Sequence, residues 1–244
     1  HAFQRLLTTP QPEPLISPAL FNAPNDGLEM QSAWLDVRAW LAASQRMLES
    51  DGAWRTASVP PESVFADTHG VTIHTPEPVR ARYLIFCQGF EDARNPFFPW
   101  IRWKSAKGEI LNLHAPQLTE TRIINSGGWL LPFGRDGIFR CGSTYKWDDF
   151  TSQPTAGARA ELEARMSRLL RVPFAITGHE AAVRPIINES KAVIGLHPVH
   201  RRIGLFNGLG SKGVLHAPFF AAQFAALLVE GTPVEYDLDV CRNG

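Results

Sequence analysis

The chain has 244 residues, 44% of them apolar, with 24 basic side chains balanced by 24 acidic ones. That length buries a sizeable core as one large domain or two small ones, and a formal charge of +0 gives no global field favouring nucleic acid or anionic lipid. Three cysteines, Cys87, Cys141 and Cys241, are odd in number and far apart, which argues against a disulfide framework and for free thiols in a reducing compartment, the cytoplasm.

No apolar run reaches the roughly 18 uninterrupted residues of a membrane span. The first twenty residues hold Pro10, Pro12, Pro14 and Pro18 and lack a signal peptide's apolar centre. His1-Ala2-Phe3 is not an initiator sequence, so the start reads as processed or truncated.

The prolines predict an irregular segment over 9–26, with a short helical turn at 18–21. A strand is expected at 27–34. Asp36 is placed to cap a helix whose Val37, Trp40, Leu41 and Leu48 follow the 3.6 period and which ends before Gly52. Short strands are expected at 55–59 and 71–75, and the continuous apolar run 82–87 suits a buried parallel strand. From 100 to 145 the texture is turn-separated strands, at 101–104, 109–113, 121–125, 129–132 and 138–141, with Asp136-Gly137 as a hairpin signal; they predict an antiparallel sheet. A helix over 156–170 puts Leu162, Met166, Leu169 and Leu170 on one face. Strands at 192–195 and 202–207 precede a final helix, from about Val214 to Glu230, stopped by Gly231 and Pro233. That helix is apolar nearly all round, so it is expected to be covered on several sides as an interior helix.

Between the last strand and the last helix stands Gly208-Leu209-Gly210-Ser211-Lys212-Gly213, a G-x-G-x-x-G. Glycines at a strand-to-helix turn let backbone approach a phosphate or a ring, and a helix N-terminus offers unpaired N–H groups and a positive dipole end. A dinucleotide fingerprint also needs a second parallel strand after the helix and an acidic residue about 20 positions on. Only 232–244 remains, so that reading fails on context.

Several segments together resemble the D-amino-acid oxidase and glycine oxidase (DAO) family of FAD-dependent oxidoreductases. They are Tyr83-Leu84-Ile85-Phe86-Cys87-Gln88-Gly89, Lys107-Gly108-Glu109, Cys141-Gly142-Ser143-Thr144-Tyr145, Val183-Arg184-Pro185 with Ile194-Gly195, and Asn207 through Gly213 with Ala217-Pro218. The likeness runs from about 28 to 239 and looks like the C-terminal two-thirds of such an enzyme, without the N-terminal G-x-G-x-x-G segment that holds the ADP half of FAD. It implies an α/β (α+β) fold: a partial FAD/NAD(P)-binding Rossmann-like layer with an inserted antiparallel β substrate domain. The implied divisions are a Pro-rich start and a substrate-domain strand at 1–34, parts of the FAD domain at 35–95 and 186–240, and the substrate domain at 97–180.

The resemblance implies FAD as cofactor, with Gly89 and the loop Gly208, Leu209, Gly210, Ser211, Lys212 and Gly213 against the flavin. The loop and the following helix then face the pyrimidine edge, where negative charge develops as the flavin accepts hydride from the C–N bond of an amine or amino acid. No dedicated side-chain base is required if the amine enters neutral, and no catalytic residue is assigned. Trp129, Tyr145, Arg184 and Ser211 fall at substrate-side positions. Ser211 stands where glycine oxidase carries its carboxylate-binding arginine, and Trp129 where an active-site tyrosine stands, so both depart from a simple amino-acid site. Arg184 either faces ligand or pairs with an acid such as Glu180, and Trp129 and Tyr145 are either ligand contacts or core and rim aromatics.

Other constellations are weaker. His197-Pro198-Val199-His200 and His179-Glu180 lack a metal-site pattern, since Val183 stands where H-E-x-x-H requires histidine. Trp100-Ile101-Arg102-Trp103-Lys104 with Lys107 mixes rings and cations as single-strand binders do, and equally as a half-exposed strand does. Two alternatives to the enzyme stay open: a binding or scaffold relic of the fold without flavin, and an oxidase acting on a modified tRNA base. An N-terminal segment or a partner chain would complete the sheet.

Overall fold

The computed structural model describes residues 16–22, 29–188 and 191–243. In chain order the elements are helix α1 (Val37–Ser50), strands β1 (Val64–Ala66), β2 (Val71–Ile73), β3 (Val79–Ala81), β4 (Leu84–Phe86), β5 (Ala106–His114), β6 (Ile124–Asn125), β7 (Trp129–Pro132) and β8 (Ile138–Gly142), helix α2 (Ala156–Leu169), strands β9 (Ala175–Arg184), β10 (Val193–Leu196) and β11 (Ile203–Asn207), and helix α3 (Gly213–Glu230). Two compact units result, one of His1–Ala33 with Lys107–Val183, the other of Trp34–Ala106 with Arg184–Gly244.

The first, the antiparallel unit, is built on a sheet of order β6-β7-β8-β5-β9. Along β5, Leu111 and Leu113 are fully buried while Ile110 and Asn112, alternating with them, are half-buried, the period-two alternation of a strand with one core face. The β7–β8 connection turns at Asp136 (φ 59°) and Gly137 (φ 73°), the consecutive left-handed pair that the Asp-Gly signal predicts. A Cβ at Gly137 would lie 2.6 Å from Pro116 Cα, so the position is closed to other residues. Thr155 caps α2 by accepting from the Ala158 N–H, and Ala158, Leu162, Met166 and Leu169 form its buried stripe. The expected turn at 18–21 is present, with the Leu20 and Phe21 N–H groups donating to the Ser17 carbonyl at 3.0 and 3.1 Å, and Phe21 is buried in this core.

Two charges are fully buried here. Lys107 Nζ donates to Asp149 Oδ2 (2.7 Å), Thr151 Oγ1 (3.1 Å) and the Gln153 carbonyl, and Glu109 accepts from the Thr155 N–H and hydroxyl, both at 2.8 Å. Lys107 therefore does not belong to an exposed basic patch; burial with three acceptors claims its ammonium. Its hydrogen bond, foremost, holds the Asp149 carboxyl down at about 2.

The second, the α/β unit, has a sheet of order β10-β11-β4 and an antiparallel sheet of order β1-β2-β3. β11 runs parallel to β4 and antiparallel to β10. Val193, Ile203 and Leu205 are fully buried, and Ile194 on the other face packs with Phe224 of α3. Strand β4 is parallel as its apolar run predicts, but it is the outer strand of its sheet, with Leu84 and Ile85 only half-buried. Asp36 caps α1 by accepting from the Ala39 N–H at 3.0 Å, and α3 ends at Gly231 (φ 74°).

Several expectations are corrected. Residues 29–34 and 55–59 form no strand; they are exposed and find no ladder partner, without which apolar alternation alone makes no sheet (27 and 28 lie outside the described residues). The 101–104 stretch contributes a single bridge, Trp103 to Ile187. Strands β1, β3 and β9 carry no clear alternation and escape the pattern. Helix α3 is not an interior helix: Phe224 is its one fully buried residue, because among the described residues it packs mainly through Phe220, Phe224, Leu227 and Leu228. By length and composition alone, Gly210–Glu230 would suffice to cross a membrane.

Candidate functional site

Strand β11 delivers the chain to Asn207, and the glycine loop follows at its C-terminal end. Gly208 (φ 81°) and Gly210 (φ 55°) are left-handed, a conformation that costs other L-residues strain. A Cβ at Gly208 would sit 2.5 Å from Ile187 Cδ1, and one at Gly210 would be 3.3 Å from Ile186 Cγ1. Gly213 differs: its φ is −54° and the nearest neighbour of an added Cβ is 3.6 Å away, so helix geometry there tolerates alanine. The loop is pinned by the Gly210 N–H donating to the Pro185 carbonyl (3.1 Å) and by a bridge between Leu209 and Ile186.

The main brace of the loop is a buried polar cluster that the sequence patterns do not mark. Asn207 donates through Nδ2 to the Gly89 carbonyl (2.8 Å) and to Asp92 Oδ2 (2.7 Å), while its Oδ1 accepts from the Gly208 N–H at 2.8 Å. Asp92, 1% exposed, also accepts from the Gln88 N–H (2.9 Å) and from Asn95 Nδ2 (2.9 Å). Every polar atom of the Asn207 amide group is thus engaged, and the turn after β4 is locked to the turn after β11. Gly89 (φ 59°) lies on the first of these turns, and nothing stands within 4 Å of where its Cβ would be.

Helix α3 starts directly after the loop. No side chain caps its N-terminus and no acidic residue lies in its first turn, so its leading N–H groups and positive dipole end meet no carboxylate of the helix's own first turn. Ser211 and Lys212 are exposed beside it. Arg184, the last residue of β9, precedes Pro185, whose carbonyl holds Gly210. Gly89, Arg184 and residues 208–213 thus belong to the α/β unit. Trp129 and Tyr145 belong to the antiparallel unit. Trp129 pairs with Gly142, where a Cβ would come 2.9 Å from the indole; Tyr145 is 46% exposed, its ring 5.5 Å from that of Trp147, and is no core residue. Glu180 accepts from Asn112 and from Arg140 (3.3 Å).

The histidine pair is occupied otherwise. His197 Nδ1 accepts from the N–H groups of Val199 (3.0 Å) and His200 (2.8 Å), and burial first, then the neighbouring His200, push its pKa below the usual imidazole value. No group of metal-ligand type was found among the described residues. All three cysteines are free.

A left-handed glycine turn braced against a second glycine turn, at the parallel strand ends and under an uncapped helix, is an arrangement for an electron-rich ring or anion at backbone distance. A family model described as DAO, FAD dependent oxidoreductase, matches residues 4–227. The chain belongs to the DAO family. FAD is the cofactor of this family. No atom stands within 4 Å of where a Cβ would be at Gly89, and only Ile186 Cγ1, at 3.3 Å, at Gly210, so the chemistry of these glycine turns is compatible with a flat ring at backbone distance.

Solved structures share the DAO fold. Iminodiacetate oxidase from Chelativorans sp. BNC1 is 21% identical over 84% of this chain and 58% of its own, with a TM-score of 0.67. Glycine oxidase from Geobacillus kaustophilus is 22% identical over 72% and 49%, with a TM-score of 0.58. NikD, an unusual amino acid oxidase essential for nikkomycin biosynthesis, is 18% identical over 82% and 58%, with a TM-score of 0.66. The chain therefore spans about half the length of the structures it matches.

Proposed function

We propose that the chain forms the flavin-ring and substrate part of a cytoplasmic FAD-dependent oxidoreductase that takes hydride from the carbon of a C–N bond in an amine or amino acid. The reading rests above all on the loop 208–213, held by Asn207 and Pro185 at the start of an uncapped helix. When bound, FAD supplies the two-electron acceptor. This chain's residues would do the rest: Gly208 and Gly210 would keep side chains out of a bound ring's path, and the first N–H groups of α3, with Lys212 nearby, would stabilise negative charge developing there.

The α/β unit is assigned as part of the FAD domain and the antiparallel unit as the substrate domain. Trp129, Tyr145, Arg184 and Ser211 are assigned to the substrate side. Ser211 cannot pair with a carboxylate as an arginine would, and Arg184 is the cationic side chain of this set. An amine that enters neutral would need no side-chain base of this chain: its hydride would go to bound FAD and its N–H proton to solvent, and the imine would take up water to give a carbonyl compound and the released amine.

Two variants test the loop. Gly210→Val, with φ 55° and a neighbour at 3.3 Å, is expected to abolish flavin retention in a protein that still folds, whereas Gly213→Ala retains it. Flavin content by visible absorption, with circular dichroism as the folding control, reads the result. Equal flavin content in the two variants would remove the loop from the flavin site. Anaerobic bleaching of the flavin band by a panel of amines then identifies the substrate class.

A further inference from the structure

The glycine loop stands at one end of the parallel strands β4 and β11, and the other end carries a groove. There Tyr83 leads into β4 and Arg202 into β11, joined by the Leu84 N–H donating to the Arg202 carbonyl at 2.9 Å. The groove, about 530 Å³, opens between two hairpin turns, residues 66–68 after β1 and residues 199–202 before β11. That volume is within the range of small-ligand sites, about 300–1,000 Å³. It belongs wholly to the α/β unit and lies roughly 20 Å along β11 from Gly208. Arg202 fixes its walls. The guanidinium donates through Nε and Nη2 to the Thr68 carbonyl, at 3.2 and 3.0 Å, and its carbon is 5.1 Å from the centre of the Tyr83 ring, so one side chain ties both turns to the head of β4. His200 is set by ring contacts with His197 (4.8 Å) and Phe97 (6.3 Å).

Charge in the groove is one-sided. His200, Arg201 and Arg202 line it, and Asp67 is the one acid among the lining residues. Asp67 serves its own turn, where Oδ1 accepts from the N–H groups of His69 (2.7 Å) and Gly70 (2.9 Å). Neither arginine forms an ion pair among the described residues. Neighbouring cations repel, and a bound anion removes that repulsion. The field reaches inward as well: after burial, His200 and then Arg201 lower the pKa of His197. Tyr83, Leu196 and Val199 give the groove an apolar wall beside these cations. We infer that the groove binds a small phosphate monoester, its dianion held by Arg201, His200 and the Arg202 N–H groups not used on Thr68, its apolar body against Tyr83, Leu196 and Val199. The planar fork of arginine donors matches phosphate oxygens, and two guanidiniums suit a dianion better than a single carboxylate. A nucleic-acid strand fits less well, because the cations are confined to one groove of a chain with a formal charge of +0. The inference stands on this groove alone and is independent of whether flavin binds at the other strand ends.

Amide NMR of the purified protein, titrated with phenyl phosphate, tests it. The resonances of Thr68, His200 and Arg201 should shift and saturate with a Kd below about 1 mM, while those of Gly208, Gly210 and Gly213 stay in place. Benzoate, the same ring with a single charge, should bind at least about 10-fold more weakly. Arg201→Gln should weaken phenyl phosphate binding by about 10-fold or more. Val199→Glu places a carboxylate in the groove at a position 76% exposed, where folding tolerates it, and should abolish saturation. Circular dichroism checks the fold of both variants. Shifts that never saturate would overturn the inference. So would saturation confined to the glycine loop, benzoate binding as tightly as phenyl phosphate, or parental affinity in either folded variant.

Discussion

The antiparallel unit and the α/β unit are built from similar residues but dispose of their helices differently. Helix α2 buries Ala158, Leu162, Met166 and Leu169 and turns Arg159, Glu161, Glu163 and Arg168 to water. Helix α3 buries Phe224 alone and has no charged residue before Glu230; α1 buries none. The sheets do not differ in this way, since Ile203 and Leu205 are as buried as Leu111 and Leu113. What separates the units is the outer layer. One has a helix that turns charges to water, the other has α3, whose exposed side is apolar up to Glu230.

The sharpest way to probe the finished unit is through its buried ions. Lys107→Met leaves Glu109 buried and Asp149, Thr151 and Gln153 without their donor, and is expected to destabilise the antiparallel unit by about 3–5 kcal/mol in urea unfolding. A loss under about 1 kcal/mol would mean that the cluster is hydrated rather than sealed.

Next in size is a pair of truncations that sets the two helices side by side. Leu162→Ala, at 0% exposure, should lower stability by about 2–5 kcal/mol. Leu215→Ala, at 74% exposure, should change the 244-residue chain by no more than about 0.5 kcal/mol. Comparable losses at the two positions would show that the exposed side of α3 is covered in the chain alone, and the contrast between the units would collapse.

Much of the architecture is legible in the sequence where local signals agree with tertiary ones. The helix capped at Asp36, the Asp136-Gly137 hairpin and the β7 boundaries come from residues whose own backbone chemistry decides the outcome. Residues 29–34 and 55–59 look like strands and are not, because a strand exists only where another backbone supplies the ladder. The glycine loop is legible as well, though not which glycines it needs: Gly208 and Gly210 are held by φ, Gly213 is not. Asn207 heads the family-like segment, but its bracing role and Asp92 escape sequence reading. Asn207 and Asp92 meet only after β4 and β11 pair in parallel, a contact of two residues 115 apart in the chain. A polar residue at the end of an apolar strand run, as Asn207 is, is the one signal that would have singled it out.

The smallest expected effect separates the units by pH. In the α/β unit the neutral His197 ring accepts the Val199 and His200 N–H groups, and burial, with His200 and then Arg201 nearby, keeps its pKa below the free value of 6.5. The unfolded chain therefore takes up a proton at His197 before the folded one does. Stability of this unit should fall as pH drops through about 6.5, and the fall should end once the folded ring also protonates. After correction for intrinsic rates, amides of β10 and β11 should exchange faster relative to those of β5 and β8 as the pH is lowered from about 7.5 to about 5.5. His197→Asn, whose side-chain carbonyl can accept a hydrogen bond without titrating, should remove that slope. Were the slope to persist in the variant, the turn at 197–200 would not be its source, and the pH response would belong to a group outside the turn.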